Sequence, residues 1–189
     1  MTFLTEPETT PRIQALYDAD RADYGYVMNL NRVWAHQPDA RNGLFDLIGQ
    51  VALAGRLSMR ERGILVTACA STMGDSYCSI AWGGKLSGEA DPALAAAVLA
   101  GTDDGLTDAE RAMASWARRV ASDPNATTTA DVDALRAAGL SDGKIFAITT
   151  FVALRMAFST VNDALGAVPD DELRAGAPAE VLDVVTWGR

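Results

Sequence analysis

An all-α fold is predicted for this chain by three observations. Apolar residues recur at the spacing of helix faces, two S/T-x-x-E capping boxes mark helix starts, and no alternating apolar and polar run resembles a pair of strands. The 189 residues, 49% of them hydrophobic and 22% charged, have the composition of a globular chain that can bury a substantial core. We therefore expect one helical domain over residues 1–168 and a tail over residues 169–189.

Apolar spacing, prolines and caps predict the helices of the first half of the chain. Apolar residues at helical spacing lie in two early stretches, Ile13, Leu16, Tyr17 and Leu44, Leu47, Ile48, Val51. Pro38 and Pro92 fall where first helical turns are expected. The capping box of Ser58 with Glu61 begins a further helix between them.

The second half is predicted to contain two well-marked helices. The capping box of Thr107 with Glu110 begins the first. Ser141 caps the second, a long helix that runs to about Leu165 and ends at Gly166, where glycine favours a helix stop.

Charge and segment composition exclude several classes of partner. The formal net charge is −9, from 16 basic and 25 acidic residues, and without a basic cluster this repels nucleic acid and anionic membranes. The amino terminus has no signal-peptide pattern, and the apolar stretch from Ile145 to Phe158 is interrupted by Arg155 and falls short of a membrane span. We therefore expect a cytoplasmic protein that binds neither nucleic acid nor membrane.

The tail carries apolar side chains that need a surface to pack on. Its sequence turns polar and then ends in VLDVVTWGR, in which the apolar residues are Val181, Leu182, Val185 and Trp187. Apolar area of this extent is rarely left in water, and a partner subunit is a natural place for it. We therefore predict a homo-oligomer.

Most residues that often carry chemistry have a simpler structural role here. His36 is the only histidine, and its place near a predicted helix end favours a contact with terminal carbonyl groups. Cys69 lies in the middle of an apolar helix and is expected in the core. The sequence has no zinc-ligand spacing, phosphate-binding loop or dinucleotide motif, so we expect no metal ion and no cofactor.

Cys78 lies in a different setting, the stretch GDSYCSIAWGG. Asp75 is well placed as a helix N-cap, which puts Cys78 in the first helical turn and Ser79 and Trp82 on the same face. The helix dipole favours a thiolate there, whereas an ionised Asp75 opposes it. The cluster is equally compatible with a capped helix that buries Cys78 and Trp82 in the core.

Four segments in the order found here resemble the carboxymuconolactone decarboxylase and alkylhydroperoxidase D superfamily. They are YGYVMNLNRVWAHQPDA, LSMRERGILVTACASTMGDSYCSIAW, LTDAERAMASWARRVASDP and ADVDALRAAGLSDGKIFAITTFVAL with NDALG. The resemblance covers about residues 10–168 and is closest to the peroxidase-related branch. It implies an all-helical domain that assembles as trimers or trimer-based hexamers.

The active-site motif that this resemblance implies is degenerate. In peroxidase members the region reads Glu, eleven residues, Cys-x-x-Cys, three residues, His. With the second cysteine at Cys78, the first falls on Asp75, the histidine on Trp82 and the glutamate on Gly63. The thiol pair and the Glu–His proton relay are therefore absent, and ordinary two-cysteine peroxidase activity is not expected.

Two further positions of the family pattern bear on the site. The Asn-Arg pair often found near the end of the last long helix falls on Ser159 and Thr160, and Tyr77 matches the common C-x-Y-C form. Cys69 is a poor substitute for the missing thiol, because it lies in the preceding helix.

Three functions stay open on the sequence alone. The first is a cofactor-independent enzyme of lyase, isomerase or decarboxylase type acting on a small organic molecule, with Asp75 as acid or base. Cys78 would be the second catalytic residue, and the substrate-binding candidates are Trp82, Gly63, Ser79 and Tyr77. The second is a single-cysteine hydroperoxide reductase that uses Cys78. The third is a catalytically silent oligomeric scaffold or ligand-binding module.

The replacements at Gly63 and Trp82 suggest a paired change. Glycine within a helix costs about 1 kcal/mol relative to alanine, and it is best tolerated where another group must approach the backbone. We therefore predict that the Trp82 indole packs against Gly63 and fills the space of the family's Glu–His pair.

Overall fold

The computed structural model describes residues 2–189, and all regular structure in that range is helical. The α-helices are α1 (Pro11–Tyr24), α2 (Asn29–Trp34), α3 (Pro38–Ala54), α4 (Met59–Met73), α5 (Ser76–Glu89), α6 (Pro92–Ala100), α7 (Asp108–Ser122), α8 (Thr129–Ala137), α9 (Asp142–Ala164), α10 (Asp171–Ala175) and α11 (Ala179–Val184). One 3-10 helix precedes α8, at Pro124–Ala126. The all-α prediction is confirmed.

The helix starts agree with the capping chemistry read from the sequence. Both predicted capping boxes are formed, at Ser58 before α4 and at Thr107 before α7. A third box at Thr128 begins α8, and the S/T-x-x-E pattern does not find it because the reciprocal residue is Asp131. Asp75 caps α5, as expected.

Helix α4 lies at the centre of the molecule. It packs along α5 and α7 and also contacts α6 and α9. Every residue from Gly63 to Ala70 is buried, so this segment is covered on all sides rather than along one stripe. A central helix of this kind fixes the position of the α4–α5 turn, which carries Asp75 and leads into Cys78.

Helix α9 is long and apolar enough, by length and composition alone, to cross a membrane. The apolar run from Ile145 to Phe158 is shorter than a membrane span, whereas the helix extends to Ala164. Half of the most apolar window is buried inside the protein, where α9 packs on α3, α4 and α7. Arg155 is buried in the same helix. This packing is that of a core helix.

The tail packs on its own chain. Val181 of α11 is fully buried, and α11 lies against α5 and α6. The Trp187 indole N–H donates to the Ser79 hydroxyl at 3.3 Å. The apolar residues of the tail were predicted to pack on a partner subunit. In the structure Val181 packs beside Gly83, which has no side chain to occupy that space.

Of the two residues assigned a simple structural role, Cys69 lies in the core as predicted, whereas His36 contacts a different carbonyl from the one expected. Cys69 is 1% exposed, and its burial raises the pKa of the thiol to about 12. His36 is exposed, and its Nε2 atom lies 3.1 Å from the carbonyl oxygen of Thr5 in the amino-terminal segment. That carbonyl is not one of the helix-terminal groups expected for it. His36 does not line the pocket that contains Cys78.

Gly83 provides a direct test of how the tail is held. A Cβ atom at Gly83 would lie 2.8 Å from Val181, so Gly83→Ala is expected to destabilise the fold by about 1–3 kcal/mol by displacing α11. Gly88, in the same helix, has open space at its Cβ position, and Gly88→Ala should stabilise by up to about 1 kcal/mol. Denaturant unfolding of both variants measures the difference, and equal effects would contradict this packing.

Candidate active site

The turn between α4 and α5 sets the position of Cys78. Gly74 adopts the left-handed conformation that ends α4, with φ of 72°. Asp75 follows as the N-cap of α5, and its Oδ1 atom accepts a hydrogen bond from the Cys78 backbone N–H at 2.8 Å. Asp75 is fully buried, so the cap holds the first turn of α5 inside the protein.

The Cys78 thiol is buried between two polar groups of α9. Nη2 of Arg155 and the hydroxyl of Ser159 each lie 3.6 Å from its sulfur. Burial raises the pKa of the Cys78 thiol, and the charge of Asp75 raises it further, while Arg155 and Ser159 act in the opposite direction. The raising effects dominate. Cys78 is therefore a protonated thiol near neutral pH.

An open pocket lies beside this thiol. Thirteen residues from five helices and the loop after α1 line it: the aromatic residues Tyr24, Phe45, Tyr77, Trp82 and Phe158, the cations Arg41, Lys85 and Arg155, and Met28, Leu30, Asn31, Cys78 and Ala81. The lining joins an aromatic wall, a thiol and positive charge in one space.

Arg155 is the most unusual member of this lining. It is 3% exposed, yet no carboxylate within residues 2–189 forms an ion pair with it. Its guanidinium carbon lies 5.1 Å from the ring centre of Trp82, 5.2 Å from that of Phe158 and 5.9 Å from that of Phe45. Aromatic faces and the Cys78 sulfur thus take the place of a counter-ion.

The other two cations lie on rings of the same pocket. The Arg41 guanidinium is 4.4 Å from the Phe45 ring centre, and the Lys85 amine is 4.8 Å from that of Trp82. Burial, followed by the charge of Arg155, lowers the pKa of Lys85. Burial also lowers the pKa of Arg41. The charges of Asp20 and Asp23 oppose the lowering at Arg41.

The structure brings together only some of the residues that the sequence nominated. Tyr77, Cys78 and Trp82 line the pocket. Asp75 and Ser79 are fully buried but do not line it, and neither does Gly63. One carboxylate oxygen of Asp75, Oδ2, has no hydrogen-bond partner. Asp75 therefore lies outside the pocket lining, and the acid-base role predicted for it stays a prediction.

The predicted contact between Trp82 and Gly63 is wrong. The atoms nearest to a Cβ at Gly63 all belong to Leu86, at 3.1 to 3.5 Å. Leu86 lies one turn further along α5 on the face turned to α4, whereas the Trp82 ring turns to the pocket and to Arg155. The close approach expected at Gly63 does occur, but a different side chain makes it.

Tyr77 is held from the side opposite the thiol. Its hydroxyl donates to Oδ2 of Asp170, and Oδ1 of Asp170 accepts from the Asn29 backbone N–H at 2.8 Å. Burial raises the pKa of Tyr77, and the hydrogen bond to Asp170 acts in the same direction. This link ties α5 to the first residue of α2 and to the N-cap of α10, and it fixes one wall of the pocket.

Sequence reasoning missed all three cations. Arg155 had a recognisable signal, because it is a lone charge within the apolar stretch Ile145 to Phe158, and a buried charge in such a place often has a functional reason. Arg41 and Lys85 had none, since both lie on helices with ordinary polar spacing. Ser159, which the family pattern placed near the site, does contact the thiol.

Comparison with known proteins places this architecture. No protein-family model and no curated protein matches the chain. Among solved structures, an AhpD-core, peroxidase-related protein from Ralstonia eutropha JMP134 is 25% identical, with a TM-score of 0.80 over 91% of this chain and 94% of that one. A peroxidase-related protein from Silicibacter sp. TM1040 is 22% identical, with a TM-score of 0.81 over 91% and 93%.

A further solved structure with a different printed activity shares the fold. The debrominase Bmp8 in its apo form is 17% identical, with a TM-score of 0.73 over 97% of this chain and 96% of that one. A cysteine-to-alanine variant of Bmp8, solved in complex with 2,3,4-tribromopyrrole, is 18% identical, with a TM-score of 0.72 over 93% and 91%.

These structural similarities show that the chain is an all-helical protein with the alkylhydroperoxidase D fold. They also confirm the resemblance read from the sequence. The chain is a relative of the carboxymuconolactone decarboxylase and alkylhydroperoxidase D superfamily on its peroxidase-related side.

The burial of Cys78 leads to a test of thiol reactivity. Because its pKa is raised and its sulfur is buried, iodoacetamide at pH 8 should label Cys78 at least about a hundredfold more slowly than in denatured protein. Mass analysis of the labelled peptides measures both rates. After mild peroxide treatment, no disulfide should link Cys69 and Cys78, and a linked peptide pair that has lost two protons would contradict this.

Asp163 on α9 gives the fold a pH dependence. Burial, followed by the charge of Asp75, raises the pKa of Asp163 to about 7, while Arg189 opposes this. An acid whose pKa is raised in the folded state destabilises the fold as pH rises from its unfolded value of about 4 to about 7.

Asp163→Asn is therefore expected to stabilise the protein by about 1–2 kcal/mol above pH 7 and to change nothing near pH 4. Urea unfolding at the two pH values measures the effect. Asp183→Asn, an exposed change on α11, is the matched control. A gain that is the same at both pH values would show that the charge is not its cause.

Proposed function

We propose that this protein is a cofactor-independent enzyme of lyase or isomerase type that acts on a small organic molecule, with the Cys78 thiol as proton donor. The observation that carries this proposal is the position of Cys78, a residue of the pocket lining whose sulfur lies 3.6 Å from Nη2 of Arg155. A thiol of raised pKa holds its proton at neutral pH, as a general acid must.

The chemical step needs only groups that the pocket contains. As a bond in the substrate breaks and negative charge develops on a carbon atom, the S–H bond of Cys78 breaks and a new C–H bond forms. The sulfur keeps the electron pair as a thiolate, which Arg155 and the Ser159 hydroxyl are placed to stabilise. A proton from solvent or from the substrate restores the thiol.

Asp75 acts in this proposal through Cys78 and not on the substrate. Its side chain holds the Cys78 backbone N–H, and its charge helps to keep the thiol protonated. It is therefore a positioning residue. This assignment differs from the role that the sequence suggested, since Asp75 does not line the pocket.

The comparisons support a small-molecule enzyme at a coarser level. Two structural neighbours are described as peroxidase-related, and a third is a debrominase with a variant that binds 2,3,4-tribromopyrrole. A planar ring of that kind suits an aromatic-lined pocket. Single-cysteine peroxide reduction has less support, because its attacking species is a thiolate and burial disfavours that form of Cys78.

Self-assembly remains part of the proposal. Leu53 and Phe146 are 77% and 73% exposed at the adjoining ends of α3 and α9, where Gly55 closely approaches Ala147. Apolar area of this kind suits a contact between copies of the chain, in a homotrimer or hexamer. The tail, which packs on its own chain, no longer supplies that contact.

Proton transfer can be tested without knowledge of the exact substrate. The protein is incubated in D₂O with a panel of unsaturated lactones and enolisable carbonyl compounds, and NMR measures deuterium incorporation into carbon. Cys78→Ser is expected to lower the rate on an accepted compound by at least about a hundredfold, whereas Cys69→Ser should keep it. The Cys69 variant is the control, since that thiol does not line the pocket.

Two other outcomes would each replace the proposal. Peroxide consumption that depends on an external thiol and on Cys78 would establish the single-cysteine reductase. Ligand binding in the pocket without turnover of any compound would establish the silent binding module.

A further inference from the structure

We infer that the pocket beside Cys78 binds a planar organic anion, an aromatic or conjugated carboxylate whose charged end lies between Arg41 and Arg155. This inference takes its site from the proposed function and adds the class of ligand. Three features of the pocket support it: the charge of the lining, buried donors without a partner, and the arrangement of the aromatic rings.

The charge of the lining is the first step. Arg41, Lys85 and Arg155 all line the pocket, and no Asp or Glu does. The chain as a whole has a net charge of −9. A pocket lined by three cations and no acid is therefore unusual for this protein. Elsewhere, the partly buried Arg118 does have an acidic partner, since it donates to both carboxylate oxygens of Asp103.

Unpartnered donors are the second step. None of the three cations forms an ion pair within residues 2–189. The Nε atoms of Arg41 and Arg155 are buried without a hydrogen-bond partner. Buried polar groups left in this way are costly, and a carboxylate would provide acceptors for both guanidinium groups.

The rings supply the third step, which distinguishes an organic anion from an inorganic one. Five of the thirteen lining residues are aromatic, and Phe45, Trp82 and Phe158 surround the Arg155 guanidinium. Phosphate or chloride would meet the cations and leave these faces unused. A flat ring that carries a carboxylate uses both, and it would place the carbon beside the carboxylate near the Cys78 sulfur.

The experiment measures binding by isothermal titration calorimetry, with benzoate as the probe and benzamide as its uncharged match. Benzoate is expected to bind at least about tenfold more tightly than benzamide, and inorganic phosphate more weakly than benzoate. Arg41→Gln and Lys85→Gln should each weaken benzoate binding, the former by about tenfold. Arg56→Gln removes an exposed charge outside the pocket and should not.

The variants keep the test independent of folding and of catalysis. Arg155→Gln is expected to abolish benzoate binding, but this residue is buried. If that variant fails to fold, the decision rests on the half-buried Arg41 and on Lys85, whose side chain is exposed overall although its amine lies against the Trp82 ring. Equal binding of benzoate and benzamide, or phosphate bound as tightly as benzoate, would overturn the inference.

Failure of the inference differs from failure of the proposed function. If Cys78→Ser keeps benzoate binding and no compound is turned over, the anion site stands and the enzyme proposal falls. If deuterium exchange occurs on uncharged compounds while benzoate does not bind, the enzyme proposal stands and the anion site falls.

Discussion

The buried charge of Arg155 is the constraint on which the site depends. A guanidinium withdrawn from water needs compensation, and within residues 2–189 no carboxylate supplies it. Three aromatic faces from α3, α5 and α9 surround it instead, at 5.1 to 5.9 Å, and each such contact contributes about 0.5–2 kcal/mol. These helices must therefore keep their mutual positions for the charge to be tolerated, and the pocket is the space that they leave between them.

The other constraint is the cap at Asp75, which works with Arg155. Asp75 fixes the first turn of α5 and so places the Cys78 sulfur against the guanidinium, with one charged group on each side of the thiol. Their effects on the pKa of the thiol are opposed, and burial decides the balance in favour of the protonated form. From the sequence, the helix dipole and Asp75 have opposite effects on the pKa of the thiol. The larger effect, burial, cannot be read from the local pattern.

The fold was predictable in detail, and the site only in part. Capping boxes at Ser58 and Thr107 are local chemistry, so the sequence states them directly. Tyr77, Cys78 and Trp82 share one helix with a recognisable cap and were found for that reason. The cations were missed because they come from α3, α5 and α9 and meet only through tertiary packing. The contact expected between Trp82 and Gly63 failed because Leu86, one turn further along α5, takes the position beside Gly63.

That correction changes the meaning of the degenerate motif. Had Trp82 filled the space beside Gly63, the family's proton relay would have become a closed apolar wall. Instead Leu86 closes that space, and the Trp82 ring lies over the pocket with cations on it, Lys85 at 4.8 Å and Arg155 at 5.1 Å. The indole thus supports positive charge at the position that a histidine would hold in a relay. A site that activates a thiolate nucleophile needs proton removal, whereas this one keeps the thiol proton and surrounds it with groups that attract an anion. This arrangement is the basis of our proposal that Cys78 delivers a proton to a bound anion and does not attack a peroxide.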